Sequence, residues 1–139
     1  MRLHKLAHDS YGAVQVATGV ATADSTRLIL MLFDGLLESV AVARGHIIHG
    51  NIAEKSKAII RASRIVLGLQ GALDFERGGD LARNLDDLYG YVTRRLLHVN
   101  AFNDLEALDE IKGLMLEIRG AWSSLPGLMP EKPVQPSIN

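Results

Sequence analysis

Histidines and carboxylates are the residues of this sequence that could hold a metal ion. His4 and His8 stand four residues apart, with Asp9 adjacent, so on a helix both imidazole rings would lie on one side. The sequence offers no third ligand beside them, which favours a solvated pair. No glutamate is followed three residues later by a histidine, and this excludes the ligand pattern of a di-iron bundle. The sequence therefore predicts no metal and no cofactor.

Two tyrosines, a pair of arginines and an asparagine lie between residues 89 and 100 and could form a polar site. Cysteine is absent and no serine has a matched general base, so nucleophilic catalysis is not indicated. Because Tyr89 and Tyr91 flank an apolar helical stripe, their rings are expected to seal the edge of a core. Asn100 is expected to close its helix. The pattern predicts scaffold and recognition roles for these residues.

The two arginines occupy different positions around the same helix. Arg95 lies at the edge of the apolar stripe, and Arg94 lies on its far side. A guanidinium at a core edge needs an acceptor, for which we expect Asp34 or a carbonyl at a helix end. This predicts that Arg95 joins two helices and that Arg94 contributes little to stability.

Length and composition indicate a single soluble domain. The chain has 139 residues, no cysteine, and 15 basic against 16 acidic side chains, so a disulfide framework, a thiolate metal site and a strong positive field for nucleic acid are all excluded. The first residues lack the apolar run of a signal peptide, and no segment has the length and apolarity of a membrane span. We therefore expect a cytoplasmic protein without membrane insertion.

Four blocks of about 22 to 25 residues carry apolar side chains at helical spacing and are separated by short breaks rich in Gly, Asn and Asp. Short loops make consecutive helices antiparallel neighbours, so the sequence predicts an all-α antiparallel four-helix bundle over residues 21–125, with Trp122 late in its seam. Residues 1–20 are expected to form a partly helical arm. Residues 126–139, which hold all four prolines of the chain, are expected to form a flexible tail.

Capping residues and glycines give the expected helix limits. The first helix should begin at Asp24 or Ser25 and stop near Gly50, and the second should run from about Ile52 to Leu73. The adjacent glycines 78 and 79 should then break the chain. The third helix is expected to bury one stripe, formed by Leu81, Leu85, Leu88, Val92, Leu96 and Val99.

The first helix carries more apolar residues than one buried stripe requires. A bundle helix needs a stripe a little over 100° wide, whereas the apolar residues between Leu28 and Val40 cover roughly 200°. Leu97 on the third helix, and Leu105 and Leu116 on the fourth, also point away from the predicted seam. Two interpretations stay open. Either loops and the arm cover these residues, or they form an apolar groove for a partner protein.

Four motifs follow one another along the chain: LILMLFDG at 28–35, LDFERGGDLARNLDDLYGYVTRRL at 73–96, VNAFND at 99–104, and the late Ala121–Trp122. In this order and at these distances they resemble the flagellar secretion chaperone family FliS. The resemblance covers roughly residues 11–123.

Residues before and around the motifs add to the resemblance and show its departures. Tyr11 and Val16 resemble the tyrosine and valine that precede the first helix in a longer-armed version of the family pattern. Ser25, Phe33 and Val99 replace the proline, tyrosine and alanine that are common at those places. These changes concern local capping and groove shape.

The resemblance implies a cytoplasmic helical bundle without enzymatic activity that binds the C-terminal segment of newly made flagellin, blocks its premature polymerisation and delivers it to a component of the flagellar export gate. It also implies an N-terminal arm that occupies part of the client groove when no client is bound. A generic helical adaptor that forms homodimers is the rival interpretation, and a weak homodimer stays open in either case. The groove residues expected are Tyr11, Val16, Leu28, Leu32, Leu36, Tyr89, Leu97, Leu105 and Leu116.

Overall fold

The computed structural model describes residues 23–122, and within them it confirms the all-α prediction. Four helices follow one another: α1 (Ala23–His49), α2 (Ile52–Gly71), α3 (Phe75–Phe102) and α4 (Leu105–Trp122). The described residues contain no strand. The predicted arm with Tyr11 and Val16, the pair His4 and His8, and the tail all lie outside the described residues.

The helices form a closed four-helix bundle in which each packs against its neighbours in the chain and α4 returns to α1. Two ion pairs between α1 and α4 show how these two helices run relative to each other. Arg44 Nε lies 2.9 Å from Asp109 Oδ1, and Arg119 Nε lies 2.8 Å from Asp34 Oδ1. Rising numbers on α1 meet falling numbers on α4, so these two helices are antiparallel.

The core consists of apolar side chains that recur every three or four residues on all four helices, as an amphipathic helix requires. The largest are fully buried, and the seam of α4 ends on Trp122, which is 2% exposed. The stripe of α3 differs from the predicted one, because Tyr89 is buried where Leu88 was expected and Leu81 is 45% exposed. The fully buried large side chains are Phe33, Leu36, Val66, Leu69, Tyr89, Val92, Leu96, Val99, Leu108, Ile111 and Met115.

A glycine breaks the chain between α2 and the main part of α3, as the sequence predicts. Gly79 has φ 50° and ψ −127°, a conformation that strongly favours glycine. One turn of helix precedes this break, which the sequence did not indicate. Asp74 begins that turn, and its Oδ1 accepts a hydrogen bond of 3.0 Å from the backbone N–H of Arg77.

The connection between α3 and α4 corrects the role expected for Asn100. The helix continues to Phe102, and Asn103 closes it with a left-handed φ of 54°, donating its N–H to Val99 O at 2.8 Å. Asparagine tolerates this conformation better than most residues, which explains its use as the closing residue. Asn100 instead links α3 to α2, because its side-chain oxygen accepts a hydrogen bond from Ser56 Oγ at 3.2 Å.

Candidate functional site

Large apolar side chains stay exposed on several faces of the bundle. Each is more than 40% exposed among the described residues: Met31, Val42, Ile48, Ile52, Ile60, Leu67, Phe75, Leu81, Leu97, Phe102 and Leu116. Single exposed leucines are ordinary on protein surfaces. An exposed apolar residue indicates a binding surface only where it lies beside other apolar residues along the edge between two helices.

One apolar surface runs along the edge between α1 and α4. Leu105, Asp109, Leu116 and Arg119 recur at spacings of four, seven and three residues, so they share one side of α4. Since Asp109 and Arg119 pair with α1, Leu105 and Leu116 also lie on the α1 side. The same register brings Leu105 level with Ile48 of α1, which is 56% exposed.

Leu37 completes this surface, which we call the α1–α4 face and define by Leu37, Ile48, Leu105 and Leu116. Leu37 is half-buried and lies level with Leu116 in the register of the two ion pairs. Each ion pair joins a half-exposed arginine to an exposed aspartate, so these charges cancel in pairs, and Lys112 on the same side of α4 adds one positive charge beside Asp109. Its centre is therefore apolar and its electrostatic field is weak.

Leu28 and Leu32 lie on the other flank of α1, toward α2. Both are half-buried, and Leu32 packs over Gly68, where an added Cβ would meet Leu32 Cδ1 at 3.8 Å. Arg61 of α2 donates to Ser39 Oγ at 2.7 Å on the same edge. The apolar surplus predicted for the first helix is thus spread over both of its flanks.

Two of the expected groove residues belong to the core. Leu36 is fully buried and Tyr89 is 2% exposed, and both contact the main apolar cluster. Burial raises the pKa of the Tyr89 phenol. Neither side chain can touch a partner protein unless the bundle opens, so the expectation that they line a surface groove is wrong. The spacing placed Tyr89 at the border of an apolar stripe and Leu36 within the wide apolar surplus of the first helix, and packing from the facing helices covers both.

Leu97 lies apart from the other expected groove residues. It is 63% exposed on the side of α3 that faces α2, whereas Leu105 and Leu116 lie on the far side of the bundle beside α1. The surface predicted from the sequence as one groove is therefore divided among three helix edges.

Arg95 does join two helices, but its partner is not the expected one. Its Nε lies 3.3 Å from Glu110 Oε1 of α4, and Tyr91 donates its hydroxyl hydrogen to Glu110 Oε2 at 2.8 Å. This hydrogen bond raises the pKa of Tyr91. Asp34 pairs with Arg119 instead, because α1 is adjacent to α4 and not to the α3 edge that carries Arg95. Asp34 and Arg95 are both interhelical contacts, each with a separate partner.

Lys55 is a structural residue that sequence patterns did not reveal. It is 5% exposed on α2, and its Nζ donates to Asn100 O at 2.9 Å and to Asn103 Oδ1 at 2.8 Å. The only sequence signal is its position, one turn after the start of a helix and on the same side as Ile59. It holds the end of α3 beside the start of α2.

Neither a metal centre nor a membrane anchor is found in the part of the chain that the structure describes. Residues 23–122 hold no group of three histidine, cysteine, aspartate or glutamate side chains placed to bind a metal ion. None of their helices combines the length and apolarity that crossing a membrane requires.

The sequence of this bundle is similar to those of known proteins. Residues 7–127 match the family model described as "Flagellar protein FliS". The chain belongs to the FliS family. The match covers the whole described bundle, so the fold above is that of a FliS-family protein.

Curated relatives in several bacteria match most of the chain. A flagellar secretion chaperone FliSB of Pseudomonas aeruginosa is 44% identical over 83% of this chain and 91% of its own length. The flagellar secretion chaperone FliS of Salmonella typhimurium is 39% identical over 84% of this chain and 87% of its own. That of Bacillus subtilis is 32% identical over 74% of this chain and 76% of its own.

Proposed function

We propose that this FliS-family chain is an export chaperone that binds the C-terminal segment of flagellin in the cytoplasm, prevents its premature polymerisation and delivers it to the flagellar export apparatus. Membership of the family, whose curated relatives are named flagellar secretion chaperones, is the observation that carries this proposal. No bond is made or broken in this function. Release follows transfer of the client to the export machinery.

The α1–α4 face is the part of the bundle that suits a disordered client best. A disordered segment loses conformational entropy when it binds, and apolar burial over a long surface must offset that loss. Leu116 and Ile48 are half exposed at the two ends of this face, with Leu105 and Leu37 as its floor. Four of the charges beside them are already paired with one another, so binding there requires desolvation of few free charges, Lys112 among them.

The flank of α1 that carries Leu28 and Leu32 is proposed as the place where the N-terminal arm and the client alternate. These residues are half-buried at the first part of α1, close in sequence to the arm. Tyr11 and Val16 would supply the covering side chains when no client is bound. A covered groove keeps apolar surface from aggregating, which is the physical advantage of such an arm.

Co-purification with the cell's own flagellin tests the proposal. We expect the tagged full chain to retain flagellin from cytoplasm, and flagellin without its C-terminal segment to be lost. The Leu116→Asp variant should retain much less flagellin than wild type, and the Val42→Asp variant should retain a similar amount, since Val42 is exposed on the outward side of α1 and not on the α1–α4 face. Retention of the truncated flagellin, or a stable homodimer that binds no flagellin, would contradict the proposal and favour a helical adaptor.

A further inference from the structure

The edge between α2 and α3 carries a second apolar surface. Ile60 and Leu67 of α2 are 48% and 59% exposed, and Leu97 of α3 is 63% exposed. Ile60 and Leu67 are seven residues apart, so they lie in line on the same side of α2, about 10 Å from each other. We call this surface the α2–α3 face.

Two hydrogen bonds set the register of the α2–α3 edge. Ser56 Oγ donates to Asn100 Oδ1 at 3.2 Å, and Gln70 Nε2 donates to Asp86 Oδ1 at 3.0 Å. Between the first pair and the second, the residue number rises by 14 on α2 and falls by 14 on α3. The two helices are therefore antiparallel and keep the same register along this edge. Ile60 is therefore level with the turn of α3 that carries Leu97, and the two side chains border the same groove.

The centre of this edge has no polar connection between the helices. On the α1–α2 edge, by contrast, the middle turns are joined by Arg61, which donates to Ser39 Oγ. The hydrogen bonds of the α2–α3 edge occur only toward its two ends in the described residues. Among the described residues, no polar contact between the two helices therefore crosses the α2–α3 face between Ile60 and Leu67.

Two arginines without ion pairs border the α2–α3 face. Arg64 of α2 and Arg94 of α3 are exposed, and neither takes part in an ion pair among the described residues. Arg94 lies over Gly90, where an added Cβ would be 3.5 Å from Arg94 Nη1. On the same line of α3, the nearest carboxylate is Asp87, two helical turns away. The border of this face is therefore positive at its centre, where Arg64 and Arg94 lie between Ile60 and Leu67, while Asp86 and Asp87 lie at its Leu67 end.

A second copy of this chain is a poor occupant for this face. A twofold contact would bring Arg64 and Arg94 of both copies into one interface, and four like charges near an apolar centre repel one another. An apolar groove with positive borders is complementary instead to a helix with one apolar stripe and acidic side chains beside it.

From this complementarity we propose that the α2–α3 face docks an acidic amphipathic helix of a partner protein, separately from the α1–α4 face that is proposed for flagellin. The apolar stripe of that helix contacts Ile60, Leu67 and Leu97, and its carboxylates pair with Arg64 and Arg94. The inference goes beyond the flagellin-binding function and does not depend on it.

A synthetic peptide tests the docking chemistry on the full chain. The probe is a blocked helical peptide of about 15 residues with leucines at i, i+4 and i+7 and glutamates on both sides of that stripe. Its control has lysine in place of every glutamate. We expect the acidic peptide to bind roughly tenfold tighter at low salt than the basic one, and this difference to shrink as salt rises.

Variants locate the binding. Leu97→Asp is expected to weaken the acidic peptide by roughly tenfold or more, and the double variant Arg64→Ala with Arg94→Ala by roughly 3- to 30-fold. Val42→Asp, an equally charged change on the outward side of α1, should alter affinity by less than about twofold. The same Leu97→Asp protein should bind a C-terminal flagellin segment as wild type does, and circular dichroism should show all variants folded.

The opposite results would overturn the proposal. Equal binding of the acidic and basic peptides would show that charge complementarity plays no part. Unchanged peptide affinity in both the Leu97 and the arginine variants would place the peptide elsewhere. Loss of flagellin binding in Leu97→Asp would make the α2–α3 face part of the client surface and not a separate one.

Discussion

Lys55 Nζ lies 2.9 Å from the backbone carbonyl oxygen of Asn100, so a buried ammonium of α2 caps the last turn of α3. A second hydrogen bond, to Asn103 Oδ1, reaches the residue that closes α3. The carbonyls at a helix end have no partner within the helix and carry partial negative charge, so a cation is well suited to them. The connection between α3 and α4 is therefore held from a third helix.

Replacing Lys55 by methionine tests this contact. The change keeps the length of the side chain but removes both hydrogen bonds, so we expect the free energy of unfolding to fall by about 1 to 3 kcal/mol. Lys57→Met is the matched control, since Lys57 is exposed and pairs only with Glu54 in the same helix; it should change the free energy by less than about 0.5 kcal/mol. Urea unfolding followed by circular dichroism measures both. Equal small effects would mean that Lys55 does not hold the connection.

Gly79 provides a prediction about backbone conformation. Because φ 50° and ψ −127° suit glycine alone, Gly79→Ala should lower the free energy of unfolding by about 1 to 3 kcal/mol. Gly113→Ala is the matched control. Gly113 lies inside α4 with open space around it, so alanine there should stabilise by about 0.4 to 1 kcal/mol. The same sign for both substitutions in thermal melts would contradict the assigned break.

Arg95 is expected to contribute less to stability than its place in the sequence suggests. Its side chain is 31% exposed and that of Glu110 is 41% exposed, so the ion pair is half solvated. Arg95→Ala should therefore cost about 0.2 to 1 kcal/mol. Arg94→Ala should cost nothing measurable, since Arg94 forms no ion pair within residues 23–122. A double-mutant cycle with Glu110→Ala measures the coupling. A coupling energy above about 2 kcal/mol would show that the pair is buried in solution.

Asp104 makes the stability of the bundle depend on pH in the acidic range. Its pKa is lowered first by the hydrogen bond from His98 and then by the backbone N–H of Ala107 at the start of α4. A lowered pKa means that the carboxylate stabilises the fold above its unfolded pKa, near 3.9, and that this contribution is lost as the pH falls through the folded value. We expect wild type to exceed Asp104→Asn in stability at pH 6, and the difference to shrink below pH 4. A difference that stays constant with pH would contradict the assignment.

Much of the fold could be predicted from the sequence because it depends on local periodicity. Gly50 predicts the end of the first helix, and the apolar pattern that begins again at Ile52 predicts the start of the second. The structure agrees with both limits to within a residue. Gly79 was identifiable for the same reason. These features are decided within one or two turns of chain.

The site was harder to predict, because it depends on which helices become neighbours. Periodicity places Tyr89 at the edge of a stripe and Leu36 within a wide apolar arc, but only the facing helices determine that both are covered. Likewise, Arg95 needed an acceptor, and the choice of Glu110 over Asp34 follows from the order of helices around the bundle. Sequence spacing predicts the side of its own helix on which a residue lies. The residue's contacts on other helices depend on how several helices pack together.

The pairing of charges on the α1–α4 face determines how a client should bind. Arg44 with Asp109 and Asp34 with Arg119 cancel in pairs, which leaves Lys112 as a single positive charge on this side of α4 and no charged patch to capture a flagellin tail. Binding should therefore depend weakly on salt and arise from burial of apolar surface, which gives a negative heat-capacity change. Helix content should rise on mixing, because the client orders on a bundle that is already folded.

Calorimetric titration of a C-terminal flagellin segment into the full chain, at several temperatures and at low and high salt, tests the central claim most directly. The account predicts a large negative heat-capacity change, little salt dependence, and a loss of affinity of roughly tenfold or more in Leu116→Asp but not in Val42→Asp. A steep fall of affinity with salt, a heat-capacity change near zero, or full affinity in Leu116→Asp would contradict it.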